Sequence, residues 1–398
     1  MTSPTRRRDW LVALAKGAMT AVMPLPTAAG TWAGRTGLVP TQRLVACWDE
    51  PSGAHRVGWL QVDGQRMRVL HSLELPTRGH GLVCLADGSL VVVARRPGDW
   101  LMRVPAHGAP VCVWMEAGRV TSGHVWTSAD GLTVYTTEID IDTGRGLLGV
   151  RHAQNLEKTD EWSTHGLDPH AVLHLPNTVL KRNGQAHPMA GMLFVANGGI
   201  EVAPETGRAK RNLYRMDSSV VCLHPQSGDL LGQWRLDDPR LSLRHLAWAV
   251  RSDGEPLLGV ALQAEHQEPG ARDRAPLLAI LGWQGNPEGE LRLASGQPPL
   301  SGYGGDIAVL GGTGQTGNGF LVSGTRSHSL VHYGLDGAYQ GHTHCPDVGA
   351  LTKGYLPWAA WRAGGLLPRS FTPSVRGDQL DCHARFDAGR LDNHWLLA

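Results

Sequence analysis

The chain has 398 residues, 41% of them hydrophobic, with 51 Gly, 25 Pro and a formal net charge of +1. Arg6, Arg7, Arg8 and Lys16 against Asp9 give the N-terminal segment +3, so the remainder is about −2, which excludes a basic field for nucleic acid or an anionic membrane surface. The glycine and proline content excludes a mainly helical chain. Apolar runs of about four to six residues, cut by DG, NG, SG and PG pairs, point instead to many short strands.

Residues 1–29 read as an export signal, with a basic start, a short apolar stretch interrupted by Lys16, and a small-residue end near Ala28-Ala29. Arg7-Arg8-Asp9-Trp10-Leu11 resembles the twin-arginine pattern, with Trp where Phe is usual. The expectation is a periplasmic protein exported folded, with no membrane span in the mature chain. The ordinary secretory route is the alternative. The six cysteines form no C-x-x-C, so c-type haem attachment and zinc ribbons have no signal. Cys47, Cys84, Cys112 and Cys222 sit in apolar runs and are expected in the core. Cys345 and Cys382, each beside a histidine, are the candidate disulfide.

From residue 40 to 398 the chain reads as one domain. Leu44–Trp48, Arg56–Val62 and Arg66–Leu73 form an incomplete unit of three strands. A repeat then begins at "RGHGLVCLADGSLVVVARRPGDW", with the order GH, strand, DG, strand, charged loop. It recurs in "TSGHVWTSADGLTVYTTEIDIDTGRG", in "DPHAVLHLPN" continued by "GMLFVANGGIE", in "RHLAWAVRSDGEPLLGVALQAEH", and in "GGDIAVLGGTGQTGNGFLVSGTRSHS". The anchors are His80, His124, His170, His245 and Asp306. Two of the spacings are about 44–46 residues, and the longer ones contain insertions at 178–190, 200–217 and 264–275. Units of about 40–50 residues with about four strands mark a β-propeller. A further blade is expected from Val348, with an irregular segment at 363–380. The terminal "DNHWLLA" offers His394 and an apolar strand that would complete the first unit. The expected fold is an all-β, seven-bladed β-propeller, its ring closed by the C-terminal strand completing the first blade.

In such a ring, the residues just before each innermost strand share one rim of the central channel. His80, His124, His170, His245, His394 and Asp306 are therefore expected together. The loops between second and third strands open on the same face, carrying Arg95, Arg96, Glu138, Asp140, Arg145, Asn197, Arg208, Lys210, Gln263 and Arg326. One reading gives each histidine a structural role, bonding the turn of its own blade. The other is a binding site. Imidazoles take a transition metal, with Glu138, Asp140 and Asp306 as candidate oxygens. In the same reading Arg95, Arg96, Arg145, Asn197, Arg208, Lys210, Gln263 and Arg326 hold a larger anionic ligand such as a metal chelate, haem or a small organic acid. "HTHCP" (His342–Pro346) sits where a blade edge should turn and reads as a solvated loop. Six tryptophans, at 100, 114, 126, 162, 234 and 248, fall at repeat-related places and read as inter-blade packing. No G-x-S-x-G elbow and no Ser-His-Asp spacing occur.

The motifs "RGHG…ARRPG", "SGHVWTSADGLTVYTTEIDIDTGRGLLGV", "HGLDPHAVLHLPN", "LFVANGGIEVAPETGRAKRNLYRMDSSVV", "LSLRHLA" and "DNH" resemble a bacterial family of uncharacterised, twin-arginine-exported periplasmic propellers. Members are often encoded near imelysin-like iron-uptake proteins and di-haem peroxidase-like proteins. That neighbourhood implies iron handling, with periplasmic iron-uptake proteins as partners, and analogy with unrelated propellers whose histidine-rich hubs bind copper clusters or haem adds copper and haem to iron as expected cofactors. The leading expectation is thus a propeller binding a metal, metal chelate or partner at its histidine-ringed mouth. A lactonase-like metal-dependent hydrolase centred on Glu138 or Asp140 and a purely structural docking platform are the alternatives.

Overall fold

The computed structural model describes residues 42–397 apart from 64–65, 178, 180–183, 203–209, 212, 312–316, 347, 353–361, 365–368 and 371–383. The expected export signal and Cys382 lie outside the described residues. Among those described, six four-stranded antiparallel blades are formed. From the innermost strand outward, the first blade is Gly79–Cys84, Leu90–Ala94, Trp100–Val104 and Val111–Trp114. The second is Arg119–Thr127, Thr133–Asp140, Arg145–His152 and Lys158–Leu167. The third is Pro169–His174, Leu193–Asn197, Ser219–Leu223 and Leu230–Trp234. The fourth is Leu241–Val250, Pro256–Ala264, Leu278–Gly282 and Glu290–Leu293. The fifth is Gly304–Gly311, Gly317–Gly324, Ser329–Tyr333 and Tyr339–His344.

The closing blade joins the two ends of the described chain. Arg390–Leu397 pairs antiparallel with Gln42–Asp49, with Leu44 opposite Leu397 and Ala46 opposite Trp395. His55–Asp63 and Arg66–Leu75 follow outward. This latch covers the inner edge of Gln42–Asp49 and makes Arg390–Leu397 the innermost strand of the closing blade.

The seven-bladed expectation is corrected here: the protein has six four-stranded blades. Between Val348 and the latch strand the described residues form the strands Ala350–Thr352, Arg362–Gly364, Arg369–Ser370 and Ala384–Phe386. These do not stand as a separate blade. Ala384–Phe386 pairs in parallel with Arg66–Leu75, so all four extend the closing sheet to eight strands. The cause is visible in the residues. Where the other units alternate apolar strands with DG-type turns, 362–380 runs "RAGGLLPRSFTPSVRGDQL", with glycines and prolines too closely spaced for strands of blade length. Ala350–Thr352 stands beside the innermost strands of the fifth and closing blades.

Among the described residues helix is nearly absent: Pro269–Arg274 makes one short α-helix, within the predicted insertion at 264–275. Among the described residues no helix is long and apolar enough to cross a membrane.

The blades pack face to face through their apolar residues. Between the third and fourth, Phe194 meets Trp248 edge-on at 4.9 Å and Trp283 at 5.9 Å. Such aromatic pairs contribute about 0.5–1.5 kcal/mol each beyond area burial. Trp100 and Trp114 join the core between the closing and first blades, and Trp162 the core of the second and third, as their repeat positions predict. Cys47 and Cys222 are buried and Cys112 is half-buried, but Cys84, at the end of its strand, is exposed. His342 and His344 lie on the alternating outer strand of the fifth blade.

Candidate metal centre at the hub

Each anchor residue sits in a β-bulge of its innermost strand. In the first blade, register shifts between Gly79 and Leu82, around His80. The same break falls between Thr121 and Val125 around His124, Pro169 and Val172 around His170, and Leu243 and Leu246 around His245. It recurs between Gly304 and Ile307 around Asp306, and between Leu391 and Trp395 around His394. A bulge bends the strand and re-aims a side chain out of the ladder. Here it turns each imidazole toward the axis. Glycine makes the close approach possible. Gly123 has φ +96°, and a Cβ there would lie 2.9 Å from the His80 ring.

The five histidines meet. Ring centroids are separated by 4.3 Å for His80–His394, 4.2 Å for His124–His170, 4.7 Å for His170–His245 and 5.0 Å for His245–His394. His124 also lies 5.2 Å from His80, 4.9 Å from His394 and 5.3 Å from His245. His80, His124, His170 and His245 are 5–7% exposed, so the cluster is out of bulk water.

The hydrogen bonds run between blades. His80 Nδ1 lies 2.6 Å from Asp392 Oδ1 in the closing blade, and His170 Nε2 lies 3.2 Å from His245 Nε2. His245 Nδ1 stands 3.6 Å from Asp306 Oδ1. Nε2 of His124, Nε2 of His394 and Nδ1 of His170 are buried with no hydrogen-bond partner. An orphaned buried polar atom carries a desolvation cost of about 1–3 kcal/mol, so three of them in one cluster call for a ligand.

Electrostatics keep these rings neutral. Burial lowers all five pKa values, and neighbouring imidazoles and the guanidiniums of Arg95, Arg96 and Arg244 lower them further. His245 falls to about 3. Neutral imidazole is the form that binds a metal. Asp392 is held ionised, far below the usual carboxylate range, by His80, Arg95 and Arg78 despite complete burial. His80 therefore donates from Nδ1, which makes Nε2 its acceptor nitrogen. Asp306 is different: burial pushes its carboxyl up to about 7, although Ile307 N–H and Leu351 N–H each donate to it at 2.8 Å. Its approach to His245 is a polar contact between groups that are both uncharged between about pH 3 and pH 7.

The loop residues divide. Arg95 donates to Asp392 at 3.1 Å, and Arg96 donates to Asp168 at 2.5 Å. Asn197 donates to Thr164 O and Ser219 Oγ, and Gln263 to Gly304 O, so both brace backbone and neighbouring strands. Lys210 pairs with Glu265. Arg326 stacks 4.4 Å over Tyr303 and lines a cavity of about 660 Å³ with Arg272, Asp273 and Ser301. Arg145 is exposed at its turn, and Arg208 lies outside the described residues.

Glu138 and Asp140 do not reach the cluster. Glu138 is wholly buried against Arg151 at 2.9 Å and Lys158 at 2.8 Å. Asp140 accepts the N–H groups of Asp142 and Thr143 in its own turn, and pairs with Arg119 at 3.3 Å.

Sequence reasoning missed the carboxylates that brace the site. Asp392 and Asp168 were the findable ones: both stand two residues before an anchor histidine, in Asp392-Asn393-His394 and Asp168-Pro169-His170. Asp168 adopts φ +52° and bridges Arg96 to Arg244, whose NH1 donates at 2.7 Å. Arg244 directly precedes His245, so two anchor positions are tied together through neighbouring residues.

Residues 73–398 match the family model described as "Protein of unknown function (DUF1513)", and the chain belongs to that family. No curated protein matches the sequence. Among solved structures, the fold is similar to one titled "Kuenenia stuttgartiensis Hydrazine Synthase", with TM-score 0.51 and 13% identity, over 90% of this chain and 100% of that one. It is also similar to a chain of the "Mitotic Checkpoint Complex", with TM-score 0.52 and 11% identity, over 94% of this chain and 90% of that one. At these identities the likeness concerns the fold alone.

Proposed function

We propose that this propeller is a transition-metal-binding protein whose hub imidazoles, His80, His124, His170, His245 and His394, are the ligands. One observation carries the reading: five imidazoles from five blades, four buried and one half-buried, meet with three ring nitrogens unpartnered. A structural role would have each ring bond its own blade, but the polar contacts of His80, His170 and His245 run to other blades. The donor set is all nitrogen, which suits copper, zinc, nickel or iron(II); harder ions such as iron(III) prefer oxygen. Haem does not fit, because rings 4.2–5.3 Å apart leave no room for a macrocycle. The hydrolase alternative loses its carboxylates to Arg151, Lys158 and Arg119.

The wider reading is an exported, periplasmic accessory protein of iron uptake, supported by the pattern of residues 1–29 and by the family resemblance. In that role the donor set matches iron(II). Purified protein titrated calorimetrically with Cu(II), Zn(II), Ni(II) and, without oxygen, Fe(II) is expected to bind at least one ion with micromolar or tighter affinity. The paired variant His124→Ala/His170→Ala is expected to abolish that heat. Absence of binding by all four ions in the unaltered protein sinks the proposal.

A further inference from the structure

Resting on that reading, we infer that the hub holds two metal ions in adjacent positions, with His124 shared between them. Metal–imidazole bonds are about 2.0–2.1 Å, so two ligands of one ion stand no more than about 4.2 Å apart. The five donors do not gather around a single point. Among the described residues they separate into two trios, His80–His124–His394 and His124–His170–His245, each with its ligand atoms within 4.8 Å of one another. Small ring rotations close each trio to bonding distance, whereas the five rings have no common centre.

The second trio is already spaced for an ion. His170 Nε2 and His245 Nε2 lie 3.2 Å apart. Two nitrogens about 2.1 Å from one ion at 90–110° would be separated by about 3.0–3.4 Å. The first trio carries two unpartnered donors, Nε2 of His124 and Nε2 of His394.

The first trio also has a bracing carboxylate: Asp392 receives Nδ1–H of His80. A carboxylate behind a ligating histidine fixes its orientation and strengthens the donor. In the second trio Asp306, whose oxygens accept Ile307 N–H and Leu351 N–H, stands 3.6 Å from His245 Nδ1, beyond hydrogen-bond reach. His124 is the ring common to both trios. To serve both ions it uses both ring nitrogens, and its N–H proton leaves to water when the second ion binds. The remaining coordination positions are left to water or an incoming small ligand.

The test is metal stoichiometry. Full-length mature protein is incubated with excess Cu(II), gel-filtered, and analysed for copper per chain by mass spectrometry, with folding checked by circular dichroism. The unaltered protein is expected to retain two coppers. His80→Ala and His170→Ala should each retain one, and His124→Ala should lose both. Paramagnetic resonance adds a second readout: exchange through the shared ring should reduce the integrated signal of the two-copper protein below two spins. Either single-copper variant should return a full one-spin signal, so the readout does not depend on His124→Ala folding. One copper in the unaltered protein, lost in both His80→Ala and His170→Ala, overturns the two-ion inference while leaving the metal reading intact. Two coppers that persist in His80→Ala also overturn it. No copper, zinc, nickel or iron at all overturns the metal reading itself.

Discussion

Two buried polar clusters lie within this ring, and they are built on opposite rules. In the second blade, Arg151 and Glu138 are both completely buried, and their charges are answered: Arg151 donates to Glu138 and Glu116, and Lys158 to Glu138 and Glu161. At the hub, four imidazoles are buried and that of His394 half-buried, all uncharged, and three ring nitrogens have no partner. The first cluster is closed: every charge has an opposite within reach, so nothing further is needed from outside. The second leaves polar atoms unanswered, and the proposed metal would answer them. Burial alone does not distinguish a structural polar group from a binding group; the accounting of partners does.

The sharpest way to break this contrast is to cut each cluster once. Glu138→Ala leaves the Arg151 guanidinium buried with only Glu116, and is expected to cost about 3–5 kcal/mol in urea denaturation while leaving metal stoichiometry unchanged. A stability loss under 1 kcal/mol would show that the second-blade network is not the closed structural unit described. Metal should act the other way round. At a free concentration 100 times the dissociation constant it is expected to stabilise the native protein by about 2.7 kcal/mol for each ion bound, removed by chelator and absent in His124→Ala. Equal stabilisation in that variant would move the ion away from the hub.

The carboxylate behind His80 gives a smaller effect. Asp392→Asn is expected to weaken metal binding about 10–100-fold, read by competition with a chromophoric chelator. Acid sharpens the comparison further. The folded imidazoles resist protonation and the unfolded ones titrate near 6.5, so unfolding takes up protons below that pH. Stability of the metal-free protein should therefore fall as pH drops below 6.5, by up to about 1.4 kcal/mol per unit for each fully neutral ring. Asp306 has the opposite sign. With its folded carboxyl pushed up to about 7 from 3.8, its contribution is fully present below 3.8 and lost as pH rises toward 7. Five rings against one carboxyl leave a net loss on acidification between pH 6.5 and 5. A flat melting profile across that window would contradict the neutral cluster. The smallest effect belongs to the half-exposed pair of Arg119 and Glu161, where Arg119→Ala should cost only about 0.2–1 kcal/mol.

Much of this architecture was legible in the chain. The recurring anchors at His80, His124, His170, His245 and Asp306, with His394 at the end, follow from repeat spacing, and propeller geometry carries them to one axis. The pairing of 390–397 with 42–49 was legible too, because the opening unit had three strands and the terminal segment supplied the missing one. Three things were not. Pattern reading extrapolated a seventh unit from Val348, whereas Ala384–Phe386 pairs in parallel with the outer strand Arg66–Leu75 and so joins the closing sheet, a long-range pairing with no local signature. Glu138 looks like a loop acid at the mouth, but strand alternation turns it toward Arg151, 13 residues on in the chain. The bulges were also invisible: a register slip leaves no local signature beyond a glycine, yet it decides whether an imidazole points to the axis or along the sheet.

The latch strand carries a timing as well as a topology. Synthesis runs from residue 1 upward, so the first five blades and their four histidines leave the ribosome long before His394 and Asp392, which travel on Arg390–Leu397. Until that strand docks beside Gln42–Asp49, His80 lacks its brace and its trio lacks a member. A nascent or C-terminally clipped chain could thus assemble most of its ring and still have no finished centre at the hub. Closing the ring and completing the histidine cluster would then be a single late event.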